Sequence, residues 1–115
     1  MESILTSIKK LLGITEECTD FDVDIIMHIN TIFMTLKQIG VGPVEGFYIE
    51  NNETAWDEFV ADPTQLQAMK TYMYLKVRLL FDPPQSSAVM ESMKRQADEL
   101  EWRLNAEVDY TDTTE

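Results

Sequence analysis

Five acids crowd residues 15–24, and three of them, in Asp20-Phe-Asp-Val-Asp24, have the alternate spacing with which a calcium-binding loop begins. Such a loop also needs glycine at its sixth position, for a sharp turn, and glutamate at its twelfth, to close the oxygen shell. Those positions hold Ile25 and Thr31. The acids read instead as the first turn of a helix, where carboxylates complement the positive end of the macrodipole. His28 is the single histidine and Cys18 the single cysteine. Glu16 and Glu17 precede Cys18, and their charge disfavours the thiolate that a nucleophile requires. No glycine-rich phosphate loop, G-x-S-x-G elbow or zinc spacing occurs. Carboxylates without a pocket signal carry no information about acid–base work. No catalytic residue, metal ligand set or cofactor is expected, and the chain reads as a non-enzyme.

The elements that would position any other site are helical. Ile4, Leu5, Ile8, Leu11 and Leu12 have helical spacing, which predicts a helix from about Ser3 to Leu12 with Gly13 as its stop. Thr19 or Asp20 is expected to cap a second helix with the stripe Val23, Ile25, Ile26, Ile29, Ile32, Phe33, Leu36 and Ile39. Gly40 stands where a left-handed residue ends it. Residues 41–53 break the pattern with Gly42-Pro43 and Gly46, then Phe47-Tyr48-Ile49, which suggests a loop or a short β-hairpin arm. Thr54 and Asp57 suggest a capped short helix carrying Trp56 and Phe59. Asp62-Pro63 restarts the chain as N-cap and first helical residue, opening a fourth helix to about Leu80 that buries Leu66, Met69, Met73, Val77 and Leu80. Tyr72, Tyr74, Leu75 and Leu79 widen its apolar surface, as in a helix that is central or meets a partner. Asp82-Pro83-Pro84 ends it. Ser86 or Ser87 caps a fifth helix to about Val108, with Val89, Met93, Ala97, Leu100 and Leu104 inward. The expectation is an all-α bundle of about five helices, one domain over residues 1–108, with a flexible acidic tail at 109–115.

Length and charge bound what such a bundle can do. A chain of 115 residues, 44 % apolar, can bury roughly two-thirds of its unfolded surface without metal or disulfide. A net charge of −12 repels nucleic acid and anionic membrane surfaces, so direct phosphate binding is not expected. The acid lies in residues 15–24, 45–62 and 98–115, whereas 63–97 carries Lys70, Lys76, Arg78, Lys94 and Arg95 against Asp82 and Glu91. Read blandly, this is a soluble surface; read sharply, it is a surface that DNA slides past, or one that imitates DNA. Residues 1–10 lack the apolar run preceded by positive charge that marks a signal peptide, and no run reaches membrane-spanning length, so an intracellular product is expected.

The chain has seven methionines, residues that suit both core gaps and adaptable contact surfaces. Met27, Met34, Met90 and Trp102 fall beside the main stripes, either widening the core face or forming a second apolar face for subunit packing.

Several segments together carry a resemblance. They are the helix end Leu11-Leu12-Gly13-Ile14, the helix start Phe21-Asp-Val-Asp-Ile-Ile-Met-His-Ile-Asn30 and the turn Gln38-Ile-Gly-Val-Gly-Pro43. Tyr72-Met-Tyr-Leu-Lys-Val-Arg-Leu-Leu-Phe-Asp-Pro-Pro84 and Glu99-Leu-Glu-Trp-Arg-Leu104 complete them. By helix order, length and punctuation over nearly the whole chain, this resembles the head–tail connector (adaptor, or head-completion) family of tailed bacteriophages. The resemblance implies a structural virion protein, assembled in the host cytoplasm, that forms a ring of about twelve copies beneath the portal protein. Such a ring extends the DNA channel without binding the duplex specifically and offers a docking surface to a stopper or tail-completion protein. It also implies that the C-terminal segment engages the portal. Position and the enrichment of Trp, Tyr and Arg at hot spots single out Trp102, Arg103, Leu104, Val108 and Tyr110 as its anchors. Two other readings stand beside it: a phage assembly chaperone using the same apolar faces, and an acidic DNA-mimic inhibitor. The mimic requires carboxylates at duplex-phosphate intervals along one face, whereas here they cluster in linkers and at the tail.

Overall fold

In the computed structural model, residues 2–60 and 62–113 are described, the side chains as far as Ala106. The described residues form four α-helices and a 3₁₀ turn: α1 (Ile4–Leu11), α2 (Asp22–Gln38), the turn Trp56–Glu58, α3 (Pro63–Phe81) and α4 (Ser87–Thr113). The expected third helix is therefore only that single turn. Ala55 N–H donates to the Glu58 carboxylate at 2.8 Å, so the Thr54–Asp57 capping pair is not what starts it.

Local signals place most helix ends. Ser3 caps α1 by accepting from Thr6 N–H at 3.0 Å, and Asp62 caps α3 by accepting from Thr64 N–H at 3.0 Å. Gly40 takes φ +85°, which lets Val41 N–H donate to Leu36 C=O and Gly40 N–H to Lys37 C=O, satisfying carbonyls that α2 leaves open. The N-cap of α2 is Phe21, not Thr19 or Asp20, and no side chain caps it. Asp22 is instead held at 2.9 Å by Lys9, whose side chain is buried beneath α1 and also donates to Glu16 C=O. Ser86 begins α4, its hydroxyl accepting from Val89 N–H. α4 continues to Thr113, past the expected end at Val108.

α3 is the central element, packing on α1, α2 and α4, while α2 and α4 lie against it without packing extensively on each other. Ile25, Ile29, Ile32, Phe33 and Leu36 of α2 meet Leu66, Met69, Tyr72, Met73 and Val77 of α3 in one core, which Ile4, Leu5 and Ile8 of α1 close. Trp56, fully buried, donates its indole N–H to the Ser7 hydroxyl at 2.7 Å. Met93 and Ala97 of α4 pack on Leu75 of α3 in a smaller cluster. Four residues expected on the apolar stripes lie outside, Leu11 in the last turn of α1 among them. Val23 is 72 % exposed because at 100° per residue it falls opposite the core stripe of α2. Leu80 is exposed because in the last turn of α3 it is Phe81 that meets α2, edge-on to Phe21 and His28. Val89, in the first turn of α4, is half exposed at the margin of its stripe.

Residues 41–53 form a loop, with no strand among the described residues. It folds back onto its own core rather than standing out as an arm. Val41 and Ile49 are buried, and Phe47 packs on both Phe33 and Phe59, which also touch each other, at ring-centroid distances of 5.1 and 5.2 Å. The Asn30 side chain stands in for a neighbouring strand, donating to Ile49 C=O at 2.9 Å and accepting from Ile49 N–H at 2.8 Å. That solves the pairing of a buried backbone without a sheet.

Candidate functional site

The C-terminal half of α4 is fixed by two features. Tyr72 of α3, fully buried, donates its hydroxyl to the Glu101 carboxylate at 2.6 Å. Burial pushes the Tyr72 hydroxyl well above the usual tyrosine range, and the hydrogen bond to Glu101 and the negative charges of Glu101 and Asp98 push it the same way. Leu104, 2 % exposed, is part of the main core. These two contacts set the rotation of the helix.

That rotation separates the residues singled out from the sequence. Trp102 lies opposite the inward stripe of Met93, Ala97, Leu100 and Leu104 and is 70 % exposed. Arg103 is exposed on a flank and pairs with Glu99 one turn earlier at 2.7 Å. Leu104 points inward, so its burial roots the helix and leaves it out of any free surface. Val108 and Tyr110 lie on α4, but their side chains fall outside the described residues. The five are therefore not one patch. At 27 residues against the 19 of α3, α4 outlasts the helix it packs on, which carries its end beyond that contact.

A second surface was legible only as an ambiguity. Val23, Met27 and Met34 recur along α2 on the side away from α3, the two methionines each 63 % exposed. Met90 is partly buried. Of the two readings of these residues, an outward apolar face holds for Met27, Met34 and Trp102. Near the end of this stripe Tyr48 and Val44 of the loop are exposed as well.

The residues with chemical potential are not assembled into a site. Asp22, the middle carboxylate of the calcium-like run, already holds Lys9. His28 is half-buried with its ring 6.3 Å from that of Phe81, and Cys18 is half-buried in the turn before α2. Among the described residues, no group of His, Cys, Asp and Glu is placed to hold a metal ion. The acids of residues 45–62 are all exposed, and Glu50, Glu53 and Glu58 rim an open polar depression beside Tyr48. No helix among the described residues is long and apolar enough to cross a membrane.

The model of one protein family, described as phage connector protein, matches residues 4–111. That is nearly the whole chain. The protein belongs to the phage connector family. No curated protein and no solved structure matches the chain. The head–tail connector resemblance drawn from helix order and punctuation thus rests on the family itself, and a connector is a structural component of virion assembly. In this connector the match takes in α1, α2, α3, the folded-back loop and all but the last two residues of α4, so the exposed faces of α2 and α4 are parts of the family's own domain.

Proposed function

We propose that this connector is the adaptor of a phage neck, a ring of about twelve copies beneath the portal protein that lengthens the DNA channel and receives a stopper or tail-completion protein. The family match over residues 4–111 carries the reading. The surface supports it. A net charge of −12, borne on exposed carboxylates, lets a duplex pass without phosphate contacts that would hold it. Apolar residues on outward helix faces supply what a closed ring of head-to-tail interfaces needs. A structural role in the virion neck, without catalysis, follows.

Portal docking is assigned to the end of α4 and the acidic residues 109–115, of which 109–113 continue the helix. Arg103, Val108 and Tyr110 are the contact residues, and Leu104 roots the helix that presents them. Trp102 faces the side of the helix, opposite its inward stripe, and is not among them. The test is mass and shape by light scattering and negative-stain microscopy, for the protein alone and mixed with the portal protein of the same genome. Rings, or copies decorating the portal, are expected. Truncation after Asn105 is expected to leave a folded protein that no longer docks. A monomer that ignores the portal and inhibits a DNA-binding enzyme would replace this reading with DNA mimicry.

A further inference from the structure

α2 and α4 point the same way. The start of α2 meets the end of α3, through Phe21 and His28 on Phe81, so these two helices run antiparallel. α3 and α4 are also antiparallel, with Tyr72 at Glu101 and Leu75 at Met93 and Ala97. Since α2 and α4 both pack on α3, their outward faces look away from it on separate sides. One face carries Met27 and Met34, seven residues apart, with Asp24 exposed beside them. The other carries Arg95 and Trp102, also seven residues apart and both exposed. Seven residues is two helical turns, about 10 Å, so both pairs keep to one face.

We propose that these two faces are complementary: Trp102 of one copy seats between Met27 and Met34 of a second copy, and Arg95 of the first meets Asp24 of the second. The match is one of register. Thr31 marks the level midway between the two methionines, and it stands seven residues after Asp24, as Trp102 stands seven after Arg95. With the helices parallel, seating Trp102 at the level of Thr31 brings Arg95 level with Asp24. Thioether sulfurs on either side of an indole are favourable partners, and a tryptophan in an apolar seat is the usual form of an interface anchor. Among the described residues Arg95 has no ion-pair partner within its own chain, whereas Arg103 has Glu99. Because the two faces differ and lie on separate sides, each copy offers one of each, which makes the contact head-to-tail and allows it to close into a ring. The inference rests on the ring reading and names the faces that build it.

The experiment places single cysteines beside the contact in a Cys18→Ser background and mixes Thr31→Cys protein with Asp98→Cys protein, both positions being exposed. A short bismaleimide is then added to assemblies formed alone or on the portal. Cross-linked dimers joining the two variants are expected to dominate over either variant joined to itself. Separately, Trp102→Ala is expected to weaken self-association about thirty-fold with an unchanged melting temperature. Arg95→Glu and Asp24→Arg are each expected to weaken it, and the double variant to restore it. Dimers of Thr31→Cys with itself, or rings untouched by Trp102→Ala, would overturn the inference and leave the ring standing. No assembly of the wild-type protein, alone or on the portal, would overturn both.

Discussion

Replacing Asn30 by alanine should release the loop of residues 41–53 while the four helices stay folded. The Asn30 amide is the partner of both backbone groups of Ile49, at 2.9 and 2.8 Å, and Ile49 is buried. Removing it leaves one N–H and one C=O without a partner where water reaches poorly. Each such group costs about 1–3 kcal/mol, so a loss of about 2–4 kcal/mol is expected, allowing for some access of water. With a urea dependence of about 1–3 kcal/mol per molar, the midpoint should fall by roughly 1–2 M. Asn30→Asp keeps the acceptor for Ile49 N–H and loses the donor, so it should fall between wild type and alanine. Hydrogen exchange locates the effect: the Ile49 amide and its neighbours should exchange much faster in Asn30→Ala, while the core of α3 at Met69–Met73 exchanges at a rate set by global unfolding. An alanine variant within about 0.5 kcal/mol of wild type, with Ile49 still protected, would refute the claim that this side chain substitutes for a strand.

Gly42 and Gly13 form a matched pair. Both have positive φ, but a Cβ on Gly42 would lie 2.5 Å from the Phe59 ring, whereas one on Gly13 meets nothing within 4 Å. Gly13→Ala should cost about 1 kcal/mol and Gly42→Ala at least twice that in chemical denaturation; equal losses would show that Phe59 gives way freely. Lys9→Met should destabilise by about 2 kcal/mol by leaving Asp22 unpaired, and adding Asp22→Asn should recover much of that loss in a double-mutant cycle. The raised pKa of Tyr72 means that the folded state keeps the proton more tightly than the unfolded chain. Its contribution is therefore complete below about pH 10 and is lost as pH rises beyond that, at up to about 1.4 kcal/mol per pH unit. Tyr72→Phe should be less stable than wild type at pH 8 but lose less on going to pH 11; parallel stability curves would show that the Tyr72–Glu101 pair is not the cause.

Helix order, most helix ends and the greater part of the core were legible in the sequence, because each depends on atoms within a turn or two. Gly40 ends α2 whatever surrounds it, since only a residue without Cβ takes φ +85° cheaply, and Asp62-Pro63 opens α3 through one side-chain hydrogen bond and a fixed φ. The same punctuation carried the family resemblance that the match over residues 4–111 bears out. Where such signals were weak the reading slipped by one or two residues, as at Phe21, or supplied a helix where Glu58 supports only a 3₁₀ turn.

The candidate site was legible in its residue types and not in its geometry. Position marked the end of α4, composition marked Trp102, and the helical period already put Leu104 on the inward stripe and Trp102 off it. What the period could not state is which neighbour that stripe meets and in what register, which Tyr72 on Glu101 fixes across 29 positions. Lys9 beneath Asp22, Asn30 at Ile49 and Trp56 on Ser7 are of the same kind, each joining groups 13 to 49 positions apart. Periodicity states that a helix has an inward face, and capping states where it begins and ends. Which face of which neighbour it meets is decided only when several helices bury apolar surface together, because that burial is non-directional and the polar pairs that select one arrangement form only once the helices are in place.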